Sequence, residues 1–196
     1  MNDETNAARI SRLPVPDEST LPDDLRELFA QLRAKPGFVP NVYRAYSLRP
    51  QQLRGFIALY DSIMTDDSGL TKAEREMIAV AVSAQNHCFY CLTSHGAVLR
   101  VRSKDMLLAD TIGANYRAAD LSPRQRAMLD FALKITNASD TCSDADILAL
   151  REHGFSAEDV MDIIQTAAFF NYSNRVASAL ELRPNREYHT MARPGT

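Results

Sequence analysis

"LTKAEREMIAVAVSAQNHCFYCLTSH", residues 70–95, decides how this chain folds. Thr71 followed three residues later by Glu74 is a capping box, in which hydroxyl and carboxylate each satisfy a backbone N–H that the first helical turn leaves open. Met77, Ile78, Ala81 and Val82 then recur at helical spacing, which predicts a helix from Thr71 to about Gln85. A second helix is expected to open near Cys88. The pattern returns 51 residues later: "LSPRQRAMLDFALK" at 121–134 keeps Leu, Thr/Ser, Arg and Met in register with "LTKAEREMIAVAVS" at 70–83, and Ser122 with Gln125 repeats the box. An internal duplication is one source of such an echo. The second copy has Ala127 in place of Glu76 and lacks the cysteine pair, so any chemistry belongs to the first copy.

Outward from this core the chain reads as helices throughout. "PDDLRELFAQLRAK" carries Leu25, Leu28, Phe29 and Leu32 at helical spacing and is stopped by "KPGF", while Pro40 and Pro50 each suit the first turn of a further helix. Later helices are expected at 88–101, 103–112, 122–137, 143–153, 156–167 and 168–182. Strand-like alternation and Gly-Asn turns are absent, and only seven glycines serve the whole chain, so the fold class is all-α. Residues 1–21, punctuated by Pro14 and Pro16, form an expected arm across the body. Residues 22–184 are the expected helical domain, and 185–196 an extended tail.

Composition bounds the function. With 196 residues and 45% apolar side chains the chain can bury one sizeable core. A net charge of −3 and a pI near 5.8 supply no basic field for nucleic acid or an anionic membrane surface. The opening "MNDETNAARISRLPVPDEST" has acidic residues and prolines where a secretory signal needs basic and apolar ones, so a cytoplasmic location is expected. No glycine-rich dinucleotide fingerprint occurs, and no resident cofactor is expected.

The cysteines then matter. In a helix starting near Cys88, Cys88, Cys91 and His95 lie at i, i+3 and i+7 and share one face. Two thiols one turn apart can form a disulfide, and a helix N-terminus favours a thiolate. Redox chemistry is the favoured reading. Zinc is the rival, with Cys142 as a candidate fourth ligand, and inert packing is the third reading.

The arrangement of Glu76, eleven residues, Cys88-Phe89-Tyr90-Cys91, three residues and His95 resembles the active-site motif of the AhpD-like branch of the carboxymuconolactone decarboxylase superfamily. "GFVPNVYRAYSLRP" before it and "FFNYSNRVASAL" after it are similar to the peroxidase-related subgroup, so the resemblance spans roughly residues 36–182. It implies an AhpD-like helical fold, assembly into a dimer, trimer or hexamer, and thiol-dependent reduction of a hydroperoxide, with re-reduction by an external dithiol or redox protein. One departure stands out: where AhpD itself has a histidine just before the second cysteine, this chain has Tyr90, and His87 sits just outside the pair. The decarboxylase branch lacks the cysteine pair altogether.

Peroxide reduction requires an attacking thiolate, a proton donor for the leaving oxygen and a resolving thiol. His95, one turn beyond Cys91, points to Cys91 as the attacking thiol and Cys88 as the resolving one, in agreement with the family. The helix dipole argues the other way, for Cys88. Glu76 is the candidate that orients His95, although a glutamate in "KAEREMIA" is more often solvated. Tyr90 and His87 are secondary candidates. Asn171, Asn174 and Arg175 read as structural, and Tyr43, Tyr46 and Phe56 as core aromatics that could line an approach. Two other functions remain open: a protein disulfide oxidoreductase using the same cysteines, and a zinc-stapled scaffold without catalysis.

Overall fold

The computed structural model describes residues 9–193, and among these every regular element is helical. The α-helices are α1 (Asp23–Ala34), α2 (Asn41–Tyr46), α3 (Pro50–Met64), α4 (Lys72–Gln85), α5 (Phe89–Ser103), α6 (Leu108–Asn115), α7 (Pro123–Ala138), α8 (Asp144–Glu152), α9 (Ala157–Ala179) and α10 (Arg186–Thr190). No helix among the described residues is long and apolar enough to cross a membrane.

The architecture is built around α4. Its capping box is complete: the Glu74 N–H donates to Thr71 Oγ1 at 3.1 Å and the Thr71 N–H to the Glu74 carboxylate at 2.9 Å. Such a cap stabilises a helix start by about 1 kcal/mol. Every residue from Glu74 to Ser83 is buried, so α4 is not the one-faced helix its apolar spacing suggests. It is surrounded instead by α5, α6, α7 and α9. A helix enclosed on all sides must be small or apolar all round, which Ala79, Val80, Ala81 and Val82 provide. The echo partner α7 has its own complete box, Ser122 with Gln125, and packs directly on α4. Arg124 of the second copy pairs with Glu74 of the first, tying the two caps together.

Three expectations are corrected. The region expected as helices 156–167 and 168–182 is one 23-residue helix, α9. It contains neither proline nor glycine, and its mid-helix polar residues find partners on neighbouring helices rather than breaking the backbone. The helix expected at 103–112 begins later, at Leu108, because Lys104 ends α5 in the left-handed region and Asp105 Oδ1 accepts the N–H groups of Leu107 and Leu108. The tail expected to be extended holds α10.

The N-terminal segment crosses the end of α9. The Arg12 N–H donates to the Leu180 carbonyl at 2.7 Å and the Arg183 N–H to the Ile10 carbonyl at 3.0 Å. Leu21, at the arm's end, is only 5% exposed and joins the core with Leu25 and Phe29 of α1, so this residue of the arm is part of the core. The apolar run 159–180 is spent largely within one chain: Val160, Ile163, Ala167, Phe169 and Phe170 are buried, and Met161 and Tyr172 are exposed.

Candidate active site

The corner between α4 and α5 sets the site. His87 has φ of 52°, its N–H donates to the Ala84 carbonyl, and the Cys88 N–H donates to the Ser83 carbonyl at 2.9 Å. These are the two bonds of a Schellman motif, with His87 in the left-handed position that glycine prefers. The chain therefore reverses within Asn86–Cys88, and Cys88 becomes the N-cap of α5. His87 is exposed, and its place is explained by this turn. Replacing it with glycine is expected to relieve left-handed strain and raise stability by about 0.5–1 kcal/mol, net of glycine's greater chain entropy. A thermal melt checks this through a rise in Tm of about 2 °C.

Cys88 and Cys91 are both free and almost fully buried, at 1% and 2% exposure. They face different spaces. Cys91 borders a cavity of about 90 Å³ that it shares with His95, Tyr43, Phe56, Tyr60, Phe169 and Tyr188. Cys88 does not border that cavity; it lies against a separate one of about 240 Å³, beside His87, Ser178 and Arg183.

Glu76 and His95 are brought together. Glu76, from the middle of α4, is only 4% exposed, and its Oε2 lies 2.7 Å from His95 Nδ1. That contact leaves His95 Nε2 as the ring nitrogen free for proton transfer. The His95 ring is wedged edge-on against Phe170 at 4.5 Å between centroids and near Tyr60 at 6.3 Å.

The two thiols divide one charge. The Cys91 thiol donates toward the Cys88 sulfur, and this, with the Cys91 backbone N–H, Ser178 and Asn174, brings Cys88 down to about 6 against the cost of burial. The same hydrogen bond, together with burial, pushes Cys91 well above the usual thiol range. The resting anion therefore sits on Cys88, at the helix N-terminus, where the backbone dipole also favours it.

Residues read as structural in the sequence turn out to surround these sulfurs. Asn174 is 1% exposed, donates to Ser83 Oγ at 3.0 Å, accepts from Asn86 at 3.0 Å, and favours the thiolate at both cysteines. Ser173 Oγ lies 3.8 Å from Cys91 Sγ. A buried asparagine inside an apolar helix was the available signal. Asn171 bonds to Thr136 and Asn86, and Arg175 folds back onto Asn171, both as structural residues would. Tyr90 is buried within the chain, where its hydroxyl accepts the Val42 N–H at 3.1 Å at the start of α2, while its ring borders the Cys91 cavity. Tyr43 and Phe56 line that cavity, whereas Tyr46 stacks behind Phe56 at 4.6 Å.

The zinc alternative lacks a ligand set. Among the described residues no group of three or more histidine, cysteine or carboxylate side chains is placed to hold a metal ion, and Cys142 is exposed on the loop before α8.

Comparison with known proteins gives a consistent picture. The family model described as "Carboxymuconolactone decarboxylase family" matches residues 50–105 and 107–182, two successive stretches that separate the echo copies. The chain is similar to the crystal structure of an alkylhydroperoxidase AhpD core, a peroxidase-related protein from Ralstonia eutropha, at 52% identity over 94% of this chain and 97% of that one, with a TM-score of 0.92. It is similar to a peroxidase-related protein from a Silicibacter species at 46% identity, over 94% and 97% of the two chains, with a TM-score of 0.91. The debrominase Bmp8 shares the fold, at 17% identity over 94% and 96% of the chains and a TM-score of 0.75. No curated protein matched.

Proposed function

This chain belongs to the carboxymuconolactone decarboxylase family, in its AhpD-like branch, and on that premise we propose that it is a thiol-dependent peroxidase using Cys88 and Cys91. The observation that carries the reading is the cavity in which Cys91, and not Cys88, meets the Glu76–His95 pair. A hydroperoxide entering there meets Cys91 first. His95 Nε2, with the ring held by Glu76, takes the Cys91 proton, and the Cys91 thiolate attacks the terminal peroxide oxygen. The O–O bond breaks, Cys91 becomes a sulfenic acid, and the alkoxide leaves as an alcohol with the proton held by His95. Cys88, already a thiolate whose proton was released to solvent, then attacks the Cys91 sulfur and expels hydroxide, which takes a proton back from solvent and leaves as water, so a Cys88–Cys91 disulfide remains. Two electrons have passed from two thiols to one peroxide, and an external dithiol or redox protein restores them.

Burial of both sulfurs, at 1% and 2% exposure, favours a hydroperoxide as the oxidant over a folded protein's disulfide and, by the same argument, favours a reductant whose dithiol sits on a slender arm. Assembly into a homo-oligomer is part of the proposal. It is supported by exposed apolar side chains along and just beyond α5, namely Phe89, Val101, Met106 and Leu107.

The test is stoichiometric. The reduced protein is expected to consume about one hydroperoxide per chain, and peptide mapping is expected to find Cys88 linked to Cys91. Both thiols still free, with no oxidant lost, would overturn the proposal.

A further inference from the structure

The segment after α9, expected as an extended tail, is fastened to the body at two places. At its start, Asn185 Oδ1 accepts the Asn41 N–H at 2.8 Å, Asn185 Nδ2 donates to the Val39 carbonyl at 2.9 Å, and Asn41 Nδ2 donates to the Arg183 carbonyl at 2.8 Å. At its end, the Arg100 guanidinium, 5% exposed, donates through Nη2 to the Tyr188 carbonyl at 3.0 Å and through Nε to the Met191 carbonyl at 3.1 Å. The same guanidinium lies 3.9 Å from the Asp110 carboxylate, and together the ion pair and the two carbonyls compensate the hydration it loses on burial.

What the clamp positions is Tyr188. Its ring packs edge-on to Phe38 at 5.0 Å and borders the Cys91–His95 cavity opposite α3. Among the described residues no hydrogen bond takes up the hydroxyls of Tyr188, Tyr43 or Tyr60, and all three phenols border the cavity. Of the other phenols near the site, Tyr90 accepts the Val42 N–H and Tyr46 is hydrogen-bonded to Tyr172. The cavity thus combines aromatic walls, which suit an apolar body, with uncommitted donors near the reacting sulfur, which suit peroxide oxygens.

We propose that Asn185–Met191 is a fixed wall of the reaction cavity and that Tyr188 is a specificity-determining residue limiting the substrate to compact hydroperoxides. The choice of substrate rests on the peroxidase reading; the wall does not. A space of about 90 Å³ cannot enclose a long acyl chain, and Tyr188 is the side chain that the segment after α9 contributes to its lining.

The experiment separates the two claims. In the reduced protein carrying Cys88→Ser, which frees Cys91 from the neighbouring thiolate, Cys91 is alkylated at pH 9 with iodoacetamide and with N-benzyl iodoacetamide, which carry the same reactive group on different bodies, and labelling is mapped by mass spectrometry. Cys142, exposed on the loop before α8, is the internal reference. Tyr188→Ala is expected to raise the bulky-to-small rate ratio at Cys91 about tenfold, the scale on which a hydrophobic pocket discriminates size. Tyr188→Phe, which keeps the ring, is expected to leave that ratio unchanged. If Tyr188→Ala does not fold, Tyr188→Leu keeps an apolar contact with Phe38 and still shortens the wall. A rise of less than about threefold in the shortened variant, or an equal rise in Tyr188→Phe, overturns the inference, since size exclusion by the ring is what the pocket argument requires. The same variants are then oxidised with hydrogen peroxide and with cumene hydroperoxide, and the preference is expected to move toward the bulkier oxidant. Absence of oxidation in every protein, with the alkylation result intact, would remove the peroxidase reading and leave the wall standing.

Discussion

Cys91→Ser is expected to abolish the first oxidation by hydroperoxide, lowering its rate by a factor on the order of 10³ or more, as removal of a nucleophile does. Cys88→Ser is expected to react once and stop as a sulfenic acid on Cys91 that a dimedone-type probe traps. The asymmetry follows from position: Cys91 borders the cavity with His95, and Cys88 does not. Acidity alone gives the opposite order, because Cys88 is the thiol brought down to about 6 while Cys91 is pushed up. Serine in place of Cys88 also removes the anion that holds the Cys91 proton, so the lone Cys91 in that variant becomes more acidic than in the intact pair. A sulfenic acid trapped on Cys88 in Cys91→Ser, with Cys88→Ser inert, would reverse the roles.

The same division of charge sets the pH dependence. Two coupled thiols lose protons in steps that belong to the pair. The first step, near 6, delivers the anion to Cys88. That value belongs to the reduced pair, because the Cys91 thiol hydrogen bond behind it is lost once Cys91 is a sulfenic acid. The second proton, on Cys91, leaves only far above, so the attacking thiol depends on transient transfer to His95 or to Cys88.

The helical class was legible because it rests on local signals: Thr71 with Glu74 and Ser122 with Gln125 announce helix starts within four residues. The single face expected of Cys88, Cys91 and His95 from spacing is not what the fold gives, because Cys88 is the N-cap of α5 and lies outside the cavity that Cys91 and His95 border. What was not legible depends on tertiary partners. Glu76 reads as a solvated helix residue until α4 is seen to be enclosed on every side. The run of α9 reads as two helices divided between 167 and 168, and the partners that hold its polar Asn171 and Asn174 within one helix, Thr136 and Ser83, lie 35 and 91 residues away in the chain. Tyr188 is held at the cavity by Arg100, 88 residues earlier, and by Phe38, far earlier still. No sequence window contains such pairs.

His95→Ala is expected to slow the first oxidation by about 10²–10³, the lower part of the range for a lost general base, since the Cys88 thiolate remains as a second acceptor for the Cys91 proton. Glu76→Gln is the more discriminating change. A glutamine at this buried position can still accept from His95 Nδ1–H through its carbonyl oxygen, which keeps the ring oriented but removes the negative charge that stabilises the imidazolium formed when the Cys91 proton arrives. If Glu76 acts through charge, Glu76→Gln loses nearly as much rate as His95→Ala, and the double variant adds little, because the two residues then work as one unit. If it acts only by orientation, the loss stays within about tenfold, the scale of one hydrogen bond. Single-turnover rates of the two single variants and the double variant, measured side by side, distinguish the cases. A Glu76→Gln protein with the full wild-type rate would show that the 2.7 Å contact has no part in proton transfer.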